Sequence, residues 1–352
     1  MAPPAEDTVG GGAPSSHEAA DRLLRVFALG MVSLGLSFVV SNYLVFWLGW
    51  PGLEAMFADL GWFGLGPLKK PLEGGAALYG WLQIALYVVP IAAIIVWVQR
   101  TAGRSPHADS ETLSNFAAFI ARAAFWAVLL VGLEDAIISF LRVEDLLGSM
   151  AGEDLAKDLG RSSFRGLFVH YPLIALSIVI AFFTRTLGFI WLALLVVVAE
   201  MQIVILRFIF SYEQAFMADL VRFWYAALFL FSSAYTLLHE GHVRVDLLYA
   251  GFSERKKAWS NAIGALVLGV PVCWVILSRG MESKTSSING PMLNYEVTQA
   301  GFGMYVKYFM AGFLAIYALS MLIQFMSYFL NSVAVLLHEP DAKVAPAEET
   351  HF

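Results

Sequence analysis

The sequence predicts an all-α integral membrane protein with about eight transmembrane helices. Of its 352 residues, 59% are apolar and only 14% are charged, and the mean hydropathy is +0.69. Soluble domains are about 45–50% apolar and about 25% charged. The chain also contains repeated apolar runs of about 20 residues, the length that a helix needs to cross a bilayer. An ordinary soluble enzyme is therefore excluded.

The first 22 residues are expected to form a disordered tail. They are polar and rich in Pro, Gly and Ala, without the basic start and short apolar core of a signal peptide. The apolar run that follows ends at Trp50-Pro51-Gly52 and not at a small-residue cleavage site. We expect this run to stay in the protein as a membrane anchor.

Seven apolar runs are long enough to span the membrane comfortably: 23–48, 76–98, 116–141, 187–210, 220–238, 258–278 and 303–330. An eighth run, 167–183, is short and contains Pro172. A single helix over 167–210 would be about 66 Å long, twice the thickness of the hydrocarbon core. The chain must therefore turn near Arg185. The eighth run either crosses the membrane, giving eight spans, or lies along the interface, giving seven.

An internal repeat favours eight spans, since helices with matching sequences usually point the same way. It pairs Trp126, Asp135 and Arg142 with Trp191, Glu200 and Arg207.

Lys and Arg in short loops set the orientation of membrane helices. The segment 239–257 contains Arg244, Arg255, Lys256 and Lys257, so we place it in the cytoplasm. With eight spans, the C-terminus is then also cytoplasmic. The charge difference across the first three spans is small and leaves their orientation open.

Glu200 is the clearest charged residue inside a predicted span. A charge near the bilayer centre costs more than about 2.5 kcal/mol unless it faces protein or water. The positions one helical turn further on, Ile203 and Val204, are apolar. Its partner must therefore lie on another helix or another chain, unless the carboxyl is protonated. The side chain is either a coupling-ion or proton site or, as we prefer, a hydrogen bond that fixes packing.

Other charged residues lie near the ends of spans. Asp135 is expected to reach the headgroup region from the outer end of its run. Arg207, Asp219 and Arg222 flank a short loop and are expected to fix a tight hairpin, since Asp219 and Arg222 are spaced i, i+3 at a helix start.

The densest polar motif includes His239, His242, Arg244 and Asp246 at the end of a span. We interpret it as a polar lock, in which Arg244 and Asp246 satisfy backbone groups at neighbouring helix ends. A metal site formed by His239, His242 and Asp246 is the less favoured alternative. The basic run Arg255-Lys256-Lys257 is expected to meet anionic lipid headgroups.

Several short stretches of the second half form a recognisable pattern. They are Leu206-Arg207-Phe208-Ile209-Phe210, Asp219, Ala234-Tyr235-Thr236, Gly241-His242-Val243-Arg244-Val245-Asp246, Trp259 and Pro271. From about Thr184 to Ser332 the chain thereby resembles the small, Q-type membrane subunit of tripartite ATP-independent periplasmic (TRAP) transporters. It departs from that family at Met217-Ala218, where the family often has a Trp before the acid.

The resemblance implies a four-helix Q-type unit over 184–332 in a bacterial inner-membrane importer, with organic acids as expected substrates. Such a subunit binds a large multi-span transport subunit and helps to seat a periplasmic solute-binding protein. The large subunit would hold the substrate and sodium sites, so this chain itself needs no cofactor. Residues 23–183 would form a membrane extension of three or four spans, and 333–352 a polar C-terminal tail.

The alternative function is an autonomous ion- or proton-coupled carrier or channel that uses Glu200 with Asp135. Carriers with their own substrate site usually have broken spans at corresponding positions of two halves, a pattern that Pro90, Pro172 and Pro271 do not form. The chain also lacks hydrolase motifs, and its net charge of −6 offers no basic surface for nucleic acid. We therefore expect a scaffold without enzymatic activity.

Overall fold

The computed structural model describes residues 16–66, 68–238, 249–298, 303–339 and 342. These residues form helices joined by turns and loops, and eight of the helices are long and apolar enough to cross a membrane. The predicted all-α membrane class is confirmed, and the described residues contain eight candidate spans, in agreement with the eight-span prediction. The polar motif at 239–246 lies outside the described residues.

The eight spanning helices are joined by connections of different lengths. In chain order they are α1 (Ser16–Phe46), α2 (Gly75–Arg100), α3 (Pro106–Val143), α4 (Ser162–Phe183), α5 (Phe189–Phe210), α6 (Met217–Leu238), α7 (Glu254–Gly280) and α8 (Lys307–Leu336). Short helices lie in three connections, at Gly52–Asp59, Trp62–Gly64, Leu147–Ala151, Glu153–Leu159 and Asn289–Leu293. Because α1 begins at Ser16, residues 16–22 of the predicted tail are helical.

Contacts at the two ends of the bundle show that successive helices alternate in direction. At one end, the buried Arg25 of α1 donates to Asp109 at the start of α3, over 2.7 Å, and to the carbonyl of Thr101 just after α2. At the other end, the Asn42 side chain donates to the carbonyl of Met281, which follows α7. We call the second end the α8-entry end, because α8 starts there.

The turn predicted near Arg185 is present between α4 and α5. Trp126 of α3 donates from its indole to the Thr184 hydroxyl over 3.1 Å. Gly188 has φ of 76°, and a Cβ at this position would lie 2.4 Å from the ring of Phe125. Glycine therefore suits both the left-handed conformation and the close approach of the turn to α3.

Two π-helical turns interrupt spans α4 and α7, at Gly166–His170 and Ala265–Gly269. Each turn ends two residues before a proline, Pro172 or Pro271. Proline has no N–H, and its ring clashes with the carbonyl four residues earlier. The wider π turn accommodates this ring without ending the helix. In α4 the same turn leaves the His170 side chain fully buried.

Helix α8 forms the centre of the bundle. It packs against α1, α3, α6 and α7, and its Leu322, Ile323, Met326 and Leu330 are fully buried. Ala28 of α1 belongs to the same apolar cluster as these residues. The predicted extension and the predicted Q-type unit thus share a common core.

Labelling of introduced cysteines from the two sides of the membrane will test the eight-span arrangement. Cys273 is the only cysteine in the sequence and is buried, so the protein without an introduced cysteine should be labelled only weakly. A membrane-impermeant maleimide should label Ala102→Cys and Thr186→Cys from one side and Met150→Cys from the other. Labelling of Thr186→Cys from the side that labels Met150→Cys would instead support seven spans.

Candidate functional site

Asp135 of α3 is the centre of a buried polar cluster at the α8-entry end. Its Oδ1 accepts a hydrogen bond from Nη1 of Arg165 at 2.6 Å and lies 3.1 Å from Nε2 of His170. Its Oδ2 accepts the backbone N–H of Tyr305 at 2.7 Å. Asp135, Arg165 and His170 are all fully buried. The prediction that Asp135 reaches lipid headgroups is wrong, because α4 supplies a cation and an imidazole that compensate its charge within the protein.

Arg165 is held in this position by groups from three directions. Its Nε donates to the carbonyl of Leu159 at 2.7 Å, and its Nη1 also lies 3.3 Å from the hydroxyl of Ser139. The guanidinium carbon lies 4.2 Å from the ring centroid of Tyr305. A guanidinium donates in a fixed planar fork, so these contacts fix its orientation as well as its position.

Tyr305 connects the cluster to the end of α3. Its hydroxyl donates to the carbonyl of Gly160 at 2.9 Å and also contacts the guanidinium of Arg142. Arg142 donates through Nη2 to the carbonyl of Gly303 at 3.1 Å. Three residues later, the hydroxyl of the buried Tyr308 lies 2.7 Å from Nδ1 of His170. The start of α8 is thereby bonded to both α3 and α4.

Asp219, at the start of α6, bonds to residues that lie just before α8. Its Oδ2 accepts the hydroxyl of Thr298 at 3.0 Å and the backbone N–H of Met304 at 3.1 Å. The consecutive N–H groups of Met304 and Tyr305 thus donate to two carboxylates, Asp219 and Asp135. We call residues 303–306 the α8-entry segment; Met304 and Val306 within it are buried.

Two of the three residues expected to fix the hairpin between α5 and α6 are paired. Asp219 and the largely exposed Arg222 form the i, i+3 ion pair, at 3.7 Å. The exposed Arg207 makes no hydrogen bond or ion pair within the described part of the chain. The α5–α6 connection is bonded to the end of α3 by the Tyr212 hydroxyl, which donates to Glu144. This hydrogen bond raises the pKa of Tyr212.

Residues 193–334 match the family of tripartite ATP-independent periplasmic transporters, DctQ component. This part of the chain is similar to the DctQ component, and we call it the DctQ part. The match begins within α5 and ends within α8, and it covers less than half of the sequence. No curated protein and no solved structure matches the chain.

The cluster lies where the DctQ part meets the helices that precede it. Asp219 and the α8-entry segment belong to the DctQ part, whereas Asp135, Arg142, Arg165 and His170 precede it in the sequence. These polar groups bond to one another and to backbone atoms, with Arg165 Nη2 and Arg142 Nε left unbonded. Such an arrangement orients the α8-entry segment and offers no free nucleophile or acid–base pair in a cleft.

Neither a metal site nor an anion site is evident elsewhere in the described ranges. No group of three His, Cys, Asp or Glu side chains is placed there to hold a metal ion. A groove of about 390 Å³ is lined by residues of α6, α7 and α8, including Leu237, Gly264, Leu268 and Phe325, and by no charged side chain. Its polar lining residues are Ser260, Asn261, Tyr317 and Tyr328, so the groove has hydrogen-bonding groups but no cation for an organic anion.

The remaining predicted site residues that fall within the described ranges lie at the surface and not in the cluster. Glu200 is exposed on α5 and has no hydrogen bond or ion pair with other described residues. Arg255 and Lys256 are exposed at the start of α7, and the Lys257 ammonium lies 5.5 Å from the ring centroid of Tyr249. His242, Arg244 and Asp246 lie outside the described residues.

The cluster residues that were not predicted from the sequence are Arg165, His170, Tyr305 and Tyr308. One signal was present: an acid inside an apolar run needs a cation, and the next span begins with Arg165 and His170. Tyr305 participates partly through its backbone N–H, which no side-chain pattern reveals.

Asp135→Asn should destabilise the protein strongly, because it leaves the guanidinium of Arg165 buried without its counter-charge. Removing one partner of a buried ion pair costs about 3–5 kcal/mol. Thermal unfolding in detergent should show the loss. Glu134→Gln is the matched control, since the neighbouring Glu134 is only half-buried and forms no ion pair or hydrogen bond in the described ranges. Equal melting temperatures for the two variants would contradict the role given to Asp135.

Asp219→Ala should loosen the α8-entry segment. The buried N–H of Met304 would lose its acceptor, a change that costs about 1–3 kcal/mol. Amide hydrogen exchange measured by mass spectrometry should become faster in peptides that contain Met304. Arg222→Gln, which removes only an exposed 3.7 Å pair with Asp219, should leave this exchange nearly unchanged. Equal exchange in the two variants would show that Asp219 does not hold the segment.

Proposed function

We propose that this chain is the small membrane subunit of a TRAP-type importer, where it scaffolds the large transport subunit and helps to seat the periplasmic solute-binding protein. The DctQ match over residues 193–334 carries the proposal. The bundle supports it, because its buried polar groups serve to position backbone and not to bind a solute.

The outer surface of the bundle also suits a subunit that works in a complex. The buried fraction differs between the helices when the most apolar 18-residue stretch of each is compared. In α5, 11% of these residues are buried, whereas in the central α8 the fraction is 44%. Phe208 and Ile190 of α5 are more than three-quarters exposed. Such a surface is available to lipid or to helices of another membrane protein.

The proposed importer takes up organic acids by sodium-coupled symport, with the substrate and sodium sites in the large subunit. We place the complex in the bacterial inner membrane, with the 239–257 loop and the C-terminus in the cytoplasm. The α8-entry end would then face the periplasm, where the binding protein docks. Its buried cluster would give the docking subunit a rigid surface.

We assign roles to two further sets of residues. The exposed Arg255 and Lys256, with Lys257, would meet anionic lipid headgroups on the cytoplasmic side. We assign His242, Arg244 and Asp246 to a polar lock at the interface with the large subunit, on the basis of the sequence motif alone.

The geometry disfavours the alternative of an autonomous carrier that uses Glu200 and Asp135. Asp135 is buried and bonded to groups of α4 and of the α8-entry segment, whereas Glu200 is exposed on α5. No described hydrogen bond connects Glu200 to the cluster. A proton relay needs such a connected path.

Reconstitution in liposomes will test the proposed function. This chain alone should give no uptake of radiolabelled mono- or dicarboxylates under an inward sodium gradient. Addition of the large subunit and the binding protein should give sodium-dependent uptake of at least one of them. In addition, a tag on this chain should recover the large subunit from detergent extracts. Solute-dependent flux through the single chain would instead support the carrier.

A further inference from the structure

Glu200 lies on the uncovered surface of α5, well inside the span. It is the twelfth of the 22 residues of Phe189–Phe210. Its neighbours one turn before and after, Val197 and Val204, are 61% and 52% exposed. The carboxyl group is therefore surrounded by apolar side chains that face away from the bundle. In a bilayer this position would confront hydrocarbon, which is unfavourable for an unpaired carboxylate.

Arg207 extends the same surface toward the α8-entry end. Seven residues separate it from Glu200, which returns a helix to nearly the same face about 10.5 Å further along the axis. Its side chain is exposed and has no hydrogen bond or ion pair in the described ranges. We call the surface formed by Val197, Glu200, Val204 and Arg207 the Glu200 face. It carries an acid in mid-span and a base near one end.

The internal repeat contrasts Glu200 with an acid that the chain does satisfy. Asp135 corresponds to Glu200 at an offset of 65 residues, and α4 provides Arg165 for it. The one cation of α6, Arg222, lies 3.7 Å from Asp219 and forms no ion pair with Glu200. A cation that compensates Glu200 would therefore have to come from outside the described residues.

We infer that the Glu200 face docks against a transmembrane helix of the large transport subunit, which presents a cation or another hydrogen-bond donor opposite Glu200. This inference rests on the proposed function. Lipid tails offer no donor at this depth, so lipid alone leaves the carboxyl group unsatisfied. A second copy is disfavoured, since a two-fold interface on this face would place Glu200 against its own equivalent.

The first experiment measures how strongly the chain holds the large subunit. Wild type, Glu200→Gln and Glu200→Leu are each co-produced with the large subunit, and their affinity for it is measured in detergent. Loss of an interhelical polar contact in a membrane should weaken binding about 3- to 30-fold. We expect that loss for Glu200→Leu and a smaller loss for Glu200→Gln, which keeps a hydrogen-bond acceptor but no charge.

Gln202→Leu is the matched control. Gln202 is an exposed polar residue of the same helix. Two positions along a helix correspond to a rotation of about 200°, so Gln202 faces the opposite side from Glu200. Its replacement should leave the affinity unchanged. Affinities that are equal for wild type and both Glu200 variants would overturn the inference.

A photo-crosslinking experiment identifies the occupant directly. Benzoylphenylalanine in place of Val204 should give an adduct with the combined mass of this chain and the large subunit, and the same reagent at Gln202 should not. An adduct of two copies of this chain would overturn the inference. An adduct with the large subunit from position 202 and none from position 204 would also overturn the inference. The proposed function would then stand, because the two subunits would still be in contact. Failure of wild type to retain the large subunit at all would refute the proposed function as well.

Discussion

The ion pair between Asp135 and Arg165 is the interaction on which the α8-entry end of the bundle depends. Both side chains are fully buried, and their closest atoms are 2.6 Å apart. Neither charge is tolerable alone in an apolar bundle, because an uncompensated buried ion costs several kcal/mol. The pair is retained together with His170, the backbone N–H of Tyr305 and the carbonyl of Leu159. These additional bonds specify a single arrangement of α3, α4 and the α8-entry segment.

The Asp135 carboxylate also joins the DctQ part to the helices that precede it. The α8-entry segment belongs to the DctQ part, yet the N–H of Tyr305 donates to a carboxylate of α3. At the opposite end of the bundle, the hydroxyls of Ser110 in α3 and Ser327 in α8 lie 3.0 Å apart, and α1 also packs on α8. The preceding helices are therefore integrated with the DctQ part at both ends and in the core. Their removal would expose faces of α8 that are now buried.

Much of the fold follows from the sequence, because length and apolarity alone determine which segments can cross a bilayer. The turn near Arg185 could be predicted from the excessive length of a single helix over 167–210. The environment of Asp135 could not, since its cation lies 30 residues away on the next helix. Asp219 pairs with Arg222 as expected from their spacing, but its hydrogen bonds to Thr298 and Met304, 79 and 85 residues later, could not be predicted. Such long-range contacts depend on how helices pack and leave no periodic signal.

The repeat shared by α3 and α5 shows how one sequence pattern can serve two purposes. Both helices carry an acid at the same spacing from a preceding Trp and a following Arg. In α3 the acid is enclosed by α4 and satisfied by Arg165, so it stabilises the interior. In α5 the acid remains on the surface, and the one cation of α6, Arg222, pairs with Asp219 instead. Contact between an unpaired carboxylate and lipid is unfavourable, whereas contact with a helix that supplies a hydrogen-bond donor is favourable. The same pattern that stabilises the interior at Asp135 would therefore favour a polar partner within the membrane at Glu200.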